Sequence, residues 1–540
     1  MKNFLKISLF LSACAFMVSC ETTELELLEN PNSINVESAD PDFVLNQVLL
    51  DFNGIIRGYS GTNQVITRMQ NMFQTYNSNV GNTTGSGEWN ASYRLFANID
   101  FLETVIATNE LDLPHHLGVA KVLEAYSYFL LVDHFGEVPF SQAVQPEEFP
   151  NPVADDGGVV YAAQLELLDE AIALLNQDPT ASPSDLYFDG VFSEDNWIAL
   201  ANTLKIRAYL NQRLVDPSGA AAGINGVLGS NIIDTVDEDF EFVYNSNQPN
   251  PVFASDYSNT VDSYRSNNYY DFLNAGDAEG IFIETGIPDP RLRYYLYRQV
   301  DEDPSGSNLP CEGDNLYDYC YVGNFYWGRD HGDGEGLPND GARKTARGLY
   351  PFGGAFDNNA FIRSRDITNT RGGEGVTPIY LSSFTHFALA EAGVTLGTGG
   401  GSPASLLEQG IRLSMEKVRA YADGLDTVDP DTGEDYAMTN AEINDYVARV
   451  ITEFNGANND GKVAIIAREF FLASWGNGIE PYNNYRRTGA PDLQEPIVES
   501  GLFPRTWRYP ITEVDNNPNI NQTNPSDRTF WDNNPAGFID

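Results

Sequence analysis

Four pairs of apolar stripes at helical spacing constrain this chain more than any other feature. Leu95, Ile99, Leu102 and Ile106 step by four, three and four, and Val119, Leu123, Tyr126 and Leu130 repeat the rhythm. Leu165, Leu168, Ile172 and Leu175 are followed by Trp197, Leu200, Leu204 and Ala208. A third pair joins Tyr380, Phe384 and Phe387 to Leu407, Ile411, Ser414 and Val418. The fourth joins Ile443, Val447, Val450 and Phe454 to Val463, Ile466, Phe470 and Ala473. Each stripe places its side chains on one helix face. The spacing therefore predicts helix pairs at about 90–135, 158–215, 378–421 and 440–476.

A helix with one apolar stripe must bury it against a neighbour. Repeated helix-turn-helix units do so by stacking. The expected fold is mainly α, about four tetratricopeptide-like pairs forming a single domain over residues 20–540. Between 216 and 376 the period is lost in a loop-rich insert with short strands such as Phe240–Tyr244 and Gly280–Glu284. Residues 477–540, rich in Pro and Asn, read as a wrap over the helices. Asp112 with Pro114, Ser193 with Glu194, and the glycines around Thr398 punctuate the helices.

Charge removes two partner classes. There are 31 Lys and Arg against 77 Asp and Glu, a net charge of −46. Nucleic acid is excluded as a main partner, because phosphate binding runs on Lys and Arg displacing counterions. Adsorption to anionic lipid is disfavoured for the same reason.

The first nineteen residues have signal-peptide order: Lys2 and Lys6, an apolar run from Ile7 to Val18, then Ser19-Cys20 and an acidic stretch. The run is too short to span a bilayer. Small residues before a Cys resemble a bacterial lipobox, in which the thiol is acylated and becomes the new N-terminus. Leu11-Ser12-Ala13-Cys14 fits the box residues better but leaves an apolar core of only Ile7 to Ala13, so Cys20 is the expected lipidation site. Of the remaining cysteines, Cys311 and Cys320 are read as a loop disulfide, the usual state in an exported chain.

Several fragments resemble those of SusD/RagB-type nutrient-binding lipoproteins. They are Leu131-Val132-Asp133-His134-Phe135-Gly136-Glu137-Val138-Pro139-Phe140, Leu389-Ala390-Glu391-Ala392, Tyr485-Arg486-Arg487-Thr488-Gly489-Ala490-Pro491 and Arg508-Tyr509-Pro510-Ile511-Thr512-Glu513, with Asn30-Pro31-Asn32 near the lipid Cys. The resemblance covers essentially the whole mature chain. It implies an outward-facing lipoprotein of the cell outer membrane, held in lipid by acylated Cys20. It also implies a SusC-like TonB-dependent transporter as partner, with oligosaccharides or peptides as the captured nutrient. Residue by residue, Arg486, Arg487, Arg508, Glu391 and Glu513 read as framework ion pairs and caps, and Gly136 and Pro139 as shaping a helix exit. A helical scaffold without a nutrient ligand is the alternative from another class.

No catalytic signature stands out: HExxH, GxSxG and a P-loop are missing. The chain is read as non-enzymatic, with no cofactor required. Calcium is the one ion with candidate loops. Asp301, Asp303, Ser305 and Glu312 reproduce EF-hand spacing, with Gly306 at position six but Asn308 at position eight. Asp330, Asp333 and Glu335 form a second acidic set. Sugar recognition uses flat apolar faces beside polar groups. The aromatics outside the stripes are thus the candidate ligand platform: Trp89, Tyr326 and Trp327, then Tyr257, Tyr264, Tyr269 and Tyr270. Residues 341–371 hold Arg343, Lys344, Arg347, Arg363, Arg365 and Arg371 against Asp357 and Asp366. That excess is read as pairing with acids elsewhere, with an anionic ligand as the functional alternative.

Overall fold

A computed structural model describes residues 35–258, 260–261, 263–274, 288–303, 321–333, 341–493, 501–535 and 537–539. The chain is mainly helical with a few short strands. Its first half carries α1 (Pro41–Ile66), α2 (Tyr76–Asn79), α3 (Ser86–Thr108), α4 (Pro114–Phe135), α5 (Gly157–Leu175), α6 (Glu194–Asn211) and α7 (Pro217–Val227). The insert holds β1 (Phe240–Val243), α8 (Pro251–Tyr257), α9 (Asn267–Leu273), α10 (Leu292–Tyr295), β2 (Leu296–Tyr297), β3 (Ala346–Arg347) and β4 (Val376–Tyr380). The remainder forms α11 (Ser382–Leu396), α12 (Pro403–Ala420), α13 (Asn440–Gly456), α14 (Asn459–Ala473), α15 (Ile479–Thr488) and α16 (Ile511–Asn516).

The longest helix, α1, lies outside the pairs that the stripes predict. Asp40 caps it and Pro41 opens it. Leu45, Val48, Leu49, Phe52, Ile55, Ile56 and Tyr59 are its buried face. Gly54, Gly58 and Gly61 dilute that pattern, each costing about 1 kcal/mol of helix propensity relative to Ala. Packing on α3 restores what propensity lacks. With α1 in place, α3 packs chiefly on α1, α4 on α5, and α11 on α12 and α14. Helix α4 is buried almost all round from Val119 to Phe135, so it runs through the core rather than along the surface.

Antiparallel β1 and β4 pair Phe240 with Tyr380 and Val243 with Val376, fastening the start of the insert to the entry of α11. One hydrophobic cluster extends from Leu45 to Ile539, and a smaller one gathers Tyr257, Val261, Tyr297, Ala346 and Ala355 within the insert.

The C-terminal segment is fastened to α4 through a buried polar hub. The Asp133 carboxylate accepts hydrogen bonds from the Tyr161 hydroxyl, Arg207 at 2.9 Å, Asn483 at 2.8 Å and the Trp531 indole at 2.9 Å. Arg486 donates to the carbonyls of Asp133 and Arg505, each at 2.7 Å. Arg487 grips both oxygens of Glu391 at 2.7 Å. His134 stacks between Tyr59 and Tyr482; its Nδ1–H donates to the Leu130 carbonyl and its Nε2 accepts from the Asn63 amide. Burial, then the Arg486 charge, pushes its pKa down to about 3, so the ring is neutral. Gly136, at φ +84°, ends α4 in a conformation that side-chain-bearing residues adopt only with strain.

Candidate ligand-binding site

Three stretches far apart in sequence meet along one seam. The segment after α1 bridges the insert at Gln70–Arg265 and Phe73–Gly332, and the insert bridges itself at Ser266–Arg329. Gly332 N–H donates to the Met72 carbonyl at 3.0 Å and Asn71 N–H to the Tyr264 carbonyl at 3.3 Å. Side chains reinforce the joint. Arg265 donates to Gln70 Oε1 at 2.5 Å and Asn267 to Asp330 Oδ1 at 2.7 Å. Arg68 donates to the Tyr76 hydroxyl at 3.1 Å, which leaves that hydroxyl to donate to His331 Nε2, also at 3.1 Å. Burial and the neighbouring Arg68 charge hold the His331 pKa far below the usual value, so this ring too is neutral.

The seam carries hydrogen-bonding capacity that the described residues do not use. Gln70 Nε2, both amide atoms of Asn71 and Asn268, Ser266 Oγ and His331 Nδ1 are buried and make no hydrogen bond within the described protein. Asn268 is 0% exposed and Asn71 is 7% exposed. A buried polar atom left unpaired costs about 1–3 kcal/mol, and native proteins keep few of them. At the edge of this seam Phe73 stands 37% exposed, edge-on to Tyr264 at 6.1 Å. The face of Tyr264 carries the Arg329 guanidinium and the Lys344 ammonium, each 4.3 Å from the ring centre. The arrangement joins an apolar ring to unpaired donors and acceptors.

Comparison with known proteins agrees with the fold. Residues 36–313, over half of the chain, match the SusD-like family described as starch-binding associating with outer membrane. Residues 369–524 match the family described as SusD and RagB outer membrane lipoprotein. This chain belongs to the SusD/RagB family. A SusD/RagB family protein from Bacteroides thetaiotaomicron superposes with a TM-score of 0.67 at 18% identity, covering 92% of this chain and 100% of its own. A SusD homolog from Bacteroides fragilis gives 0.65 at 18% identity, with 92% and 99% covered. A chitin-binding SusD homolog from Flavobacterium johnsoniae gives 0.61 at 18% identity, with 91% and 99% covered. A search among curated proteins returns no match. Family membership makes this a nutrient- or glycan-binding protein of the outer membrane. Among the described residues no helix is long and apolar enough to cross a membrane.

In this SusD-like protein the aromatics singled out from the sequence are buried, which corrects the expectation of free-standing platforms. Trp89 is 3% exposed in the first turn of α3, edge-to-face against Phe135 at 5.0 Å and Tyr509 at 5.7 Å. Trp327 is 2% exposed; its indole donates to the Glu302 carbonyl at 3.1 Å and Arg343 lies over its ring. Tyr326, 4% exposed, packs on Tyr270 at 4.2 Å. Tyr257 donates to the Arg347 carbonyl, and Tyr269 stacks on Trp475. The physical reason is common to the rings of the insert. An insert with little regular structure has no helix stripe to bury, and rings supply its core area instead. Tyr264, Tyr270, Tyr326 and Trp327 are all gathered in the insert, while Trp89 packs separately on α4 and the C-terminal segment.

Among the described residues, three of the six cations of the basic stretch meet acids, Arg343 with Glu302, Arg347 with Asp256 at 2.9 Å and Arg365 with Asp366 at 3.7 Å, while Arg371 donates to the carbonyls of Tyr421 and Asp423. Of the acidic loops, Asp303 accepts from Tyr321 at 2.7 Å, and Asp333 lies 3.6 Å from Arg329. Ser305, Glu312, Glu335, the Cys311–Cys320 pair and Cys20 lie outside the described residues. Among the described residues no three His, Cys, Asp or Glu side chains gather as a metal-ligand set. Sequence reading missed Phe73, Asn71, Asn268 and His331. None lies on a stripe, and only the folding of the loop after α1 onto the insert joins them.

Proposed function

We propose that this protein captures an oligosaccharide at the outer-membrane surface without catalysis and delivers it to a SusC-like TonB-dependent transporter. Acylated Cys20 would be its anchor, and a Cys311–Cys320 disulfide would brace the insert. The observation that carries the ligand class is the set of unused amide, hydroxyl and imidazole atoms beside exposed Phe73. A sugar offers a C–H face for a ring, and hydroxyls that both donate and accept. Such a ligand meets the Asn71 amide, which needs one partner of each kind. Tyr326 and Trp327 stand in this reading as the wall behind the seam. The chitin-binding homolog from Flavobacterium johnsoniae supports a glycan over a peptide.

The test is calorimetric titration with chito-, cello- and malto-oligosaccharides on the wild type, Phe73→Ala and Asn71→Ala. Each substitution is expected to weaken binding by about tenfold or more. Because the Asn71 side chain satisfies nothing among the described residues, and alanine keeps its backbone N–H, Asn71→Ala should leave the melting temperature unchanged or slightly raised. A fall in stability in step with affinity would make Asn71 structural and overturn the assignment. Binding of peptide libraries with no glycan affinity would replace oligosaccharide by peptide.

A further inference from the structure

A groove beside α3 takes no part in the seam. It encloses about 290 Å³ and is walled by Trp89 and Tyr93 on α3, Pro139 after α4, and Glu513 and Asn516 on α16, with Asn90 at its rim. That volume lies at the bottom of the small-molecule range of about 300–1,000 Å³. It therefore suits one ring rather than a chain of them. The walls are preorganised. Trp89 and Tyr93 lie 5.1 Å apart at 52°, Phe135 and Tyr509 back the indole, and the Tyr93 hydroxyl is committed to the Pro139 carbonyl at 2.9 Å.

The rim is polar and carries a single charge. Asn90 is exposed. Asn516 donates its amide N–H to the Thr512 carbonyl at 2.7 Å, leaving its Oδ1 able to accept. Glu513 accepts from Asn517 through Oε1 at 2.9 Å, leaving Oε2. Among the described residues no Lys or Arg lines the groove, so an anionic unit would meet only the Glu513 carboxylate. We propose that this groove binds a single neutral pyranose unit, a second carbohydrate subsite distinct from the seam. The hydroxyls would lie on Asn90, Glu513 and Asn516, and the C–H face on the half-buried Tyr93 ring, with the Trp89 indole beside it as the reporter.

Fluorine NMR of the full chain labelled with 5-fluorotryptophan tests this, with the Trp89 signal assigned through Trp89→Phe. The probes are the methyl glycosides of glucose, galactose, mannose and N-acetylglucosamine, titrated to high millimolar concentration, with methyl glucuronide as the anionic counterpart. At least one neutral glycoside should move the Trp89 signal saturably, and the glucuronide should not. Replacing both rim residues, Asn90→Ala with Asn516→Ala, should weaken that response about tenfold at an unchanged melting temperature. Phe73→Ala should leave it intact, which separates this subsite from the seam. The proposal is overturned if no neutral glycoside moves the Trp89 signal, if the rim variant binds as the wild type does, or if the glucuronide binds equally well.

Discussion

Replacing Asp133 tests whether the SusD-like motif after α4 is framework rather than binding surface. Its carboxylate is fully buried and accepts four hydrogen bonds, from Tyr161, Arg207, Asn483 and Trp531. In Asp133→Ala those donors lose their acceptor together. Arg207 keeps Glu480 at 2.7 Å, so its charge is not stranded. The loss therefore comes from the orphaned buried donors, at about 1–3 kcal/mol each, and is expected to total about 3 kcal/mol or more. Asp133→Asn keeps the shape but points an N–H₂ group at partners that all donate. It should cost about 1.5–3 kcal/mol, the worth of charge-assisted bonds. Burial by itself would raise the Asp133 pKa, but Arg207 and Arg486 outweigh it and hold the value below the usual one. Its contribution is thus complete above the unfolded carboxyl pKa and disappears as pH falls through the folded value. Urea unfolding followed by tryptophan fluorescence measures this, with Trp531 hydrogen-bonded to the mutated group. Asp133→Asn matching the wild type, or Asp133→Ala within about 1 kcal/mol of it, would refute the hub. So would a selective loss of glycan affinity at full stability.

Glu391→Gln should destabilise by about 1.5–3 kcal/mol in the same assay, because Arg487 and Arg213 both converge on that carboxylate; an unchanged midpoint would show that the pair is dispensable. His134 has a folded pKa of about 3, against about 6.5 unfolded. As pH falls from about 6.5 the unfolded chain takes up a proton that the folded ring refuses, so stability is lost at about 1.4 kcal/mol per pH unit. The advantage of wild type over His134→Gln should therefore shrink across that window, and a pH-independent difference would contradict it. Cys20→Ala should abolish palmitate labelling and outer-membrane fractionation; labelling that persists there and vanishes in Cys14→Ala moves the anchor to Cys14.

The helical character of this chain was legible in sequence because helical period is a local property. Leu95 to Ile106 reports its own face without reference to any partner. The framework role of Arg487 and Glu391 was legible as well, since a buried charge in an apolar setting must find its opposite; Arg486 is framework too, but through the carbonyls of Asp133 and Arg505. Helix α1 carried a readable stripe too, but its glycines lowered the contrast and left the choice of neighbour for α3 open.

What only the tertiary structure decided is which rings are covered and which polar atoms are left over. A tryptophan in an aperiodic segment has no neighbours in sequence to tell its inner side from its outer, so Trp327 stands in sequence as a candidate platform and is buried; Trp89, taken as preceding the first stripe, lies in the first turn of α3 and is buried too. Phe73, an unremarked loop residue, stands partly free because the loop after α1 docks on the insert at Gln70 and Gly332. Asn71 and Asn268 are ordinary amides in the sequence. Their lack of partners depends on where Tyr264, Arg329 and His331 come to rest, far along the chain. Sequence records donors and acceptors one residue at a time; whether each is satisfied depends on three-dimensional neighbours that no local pattern contains.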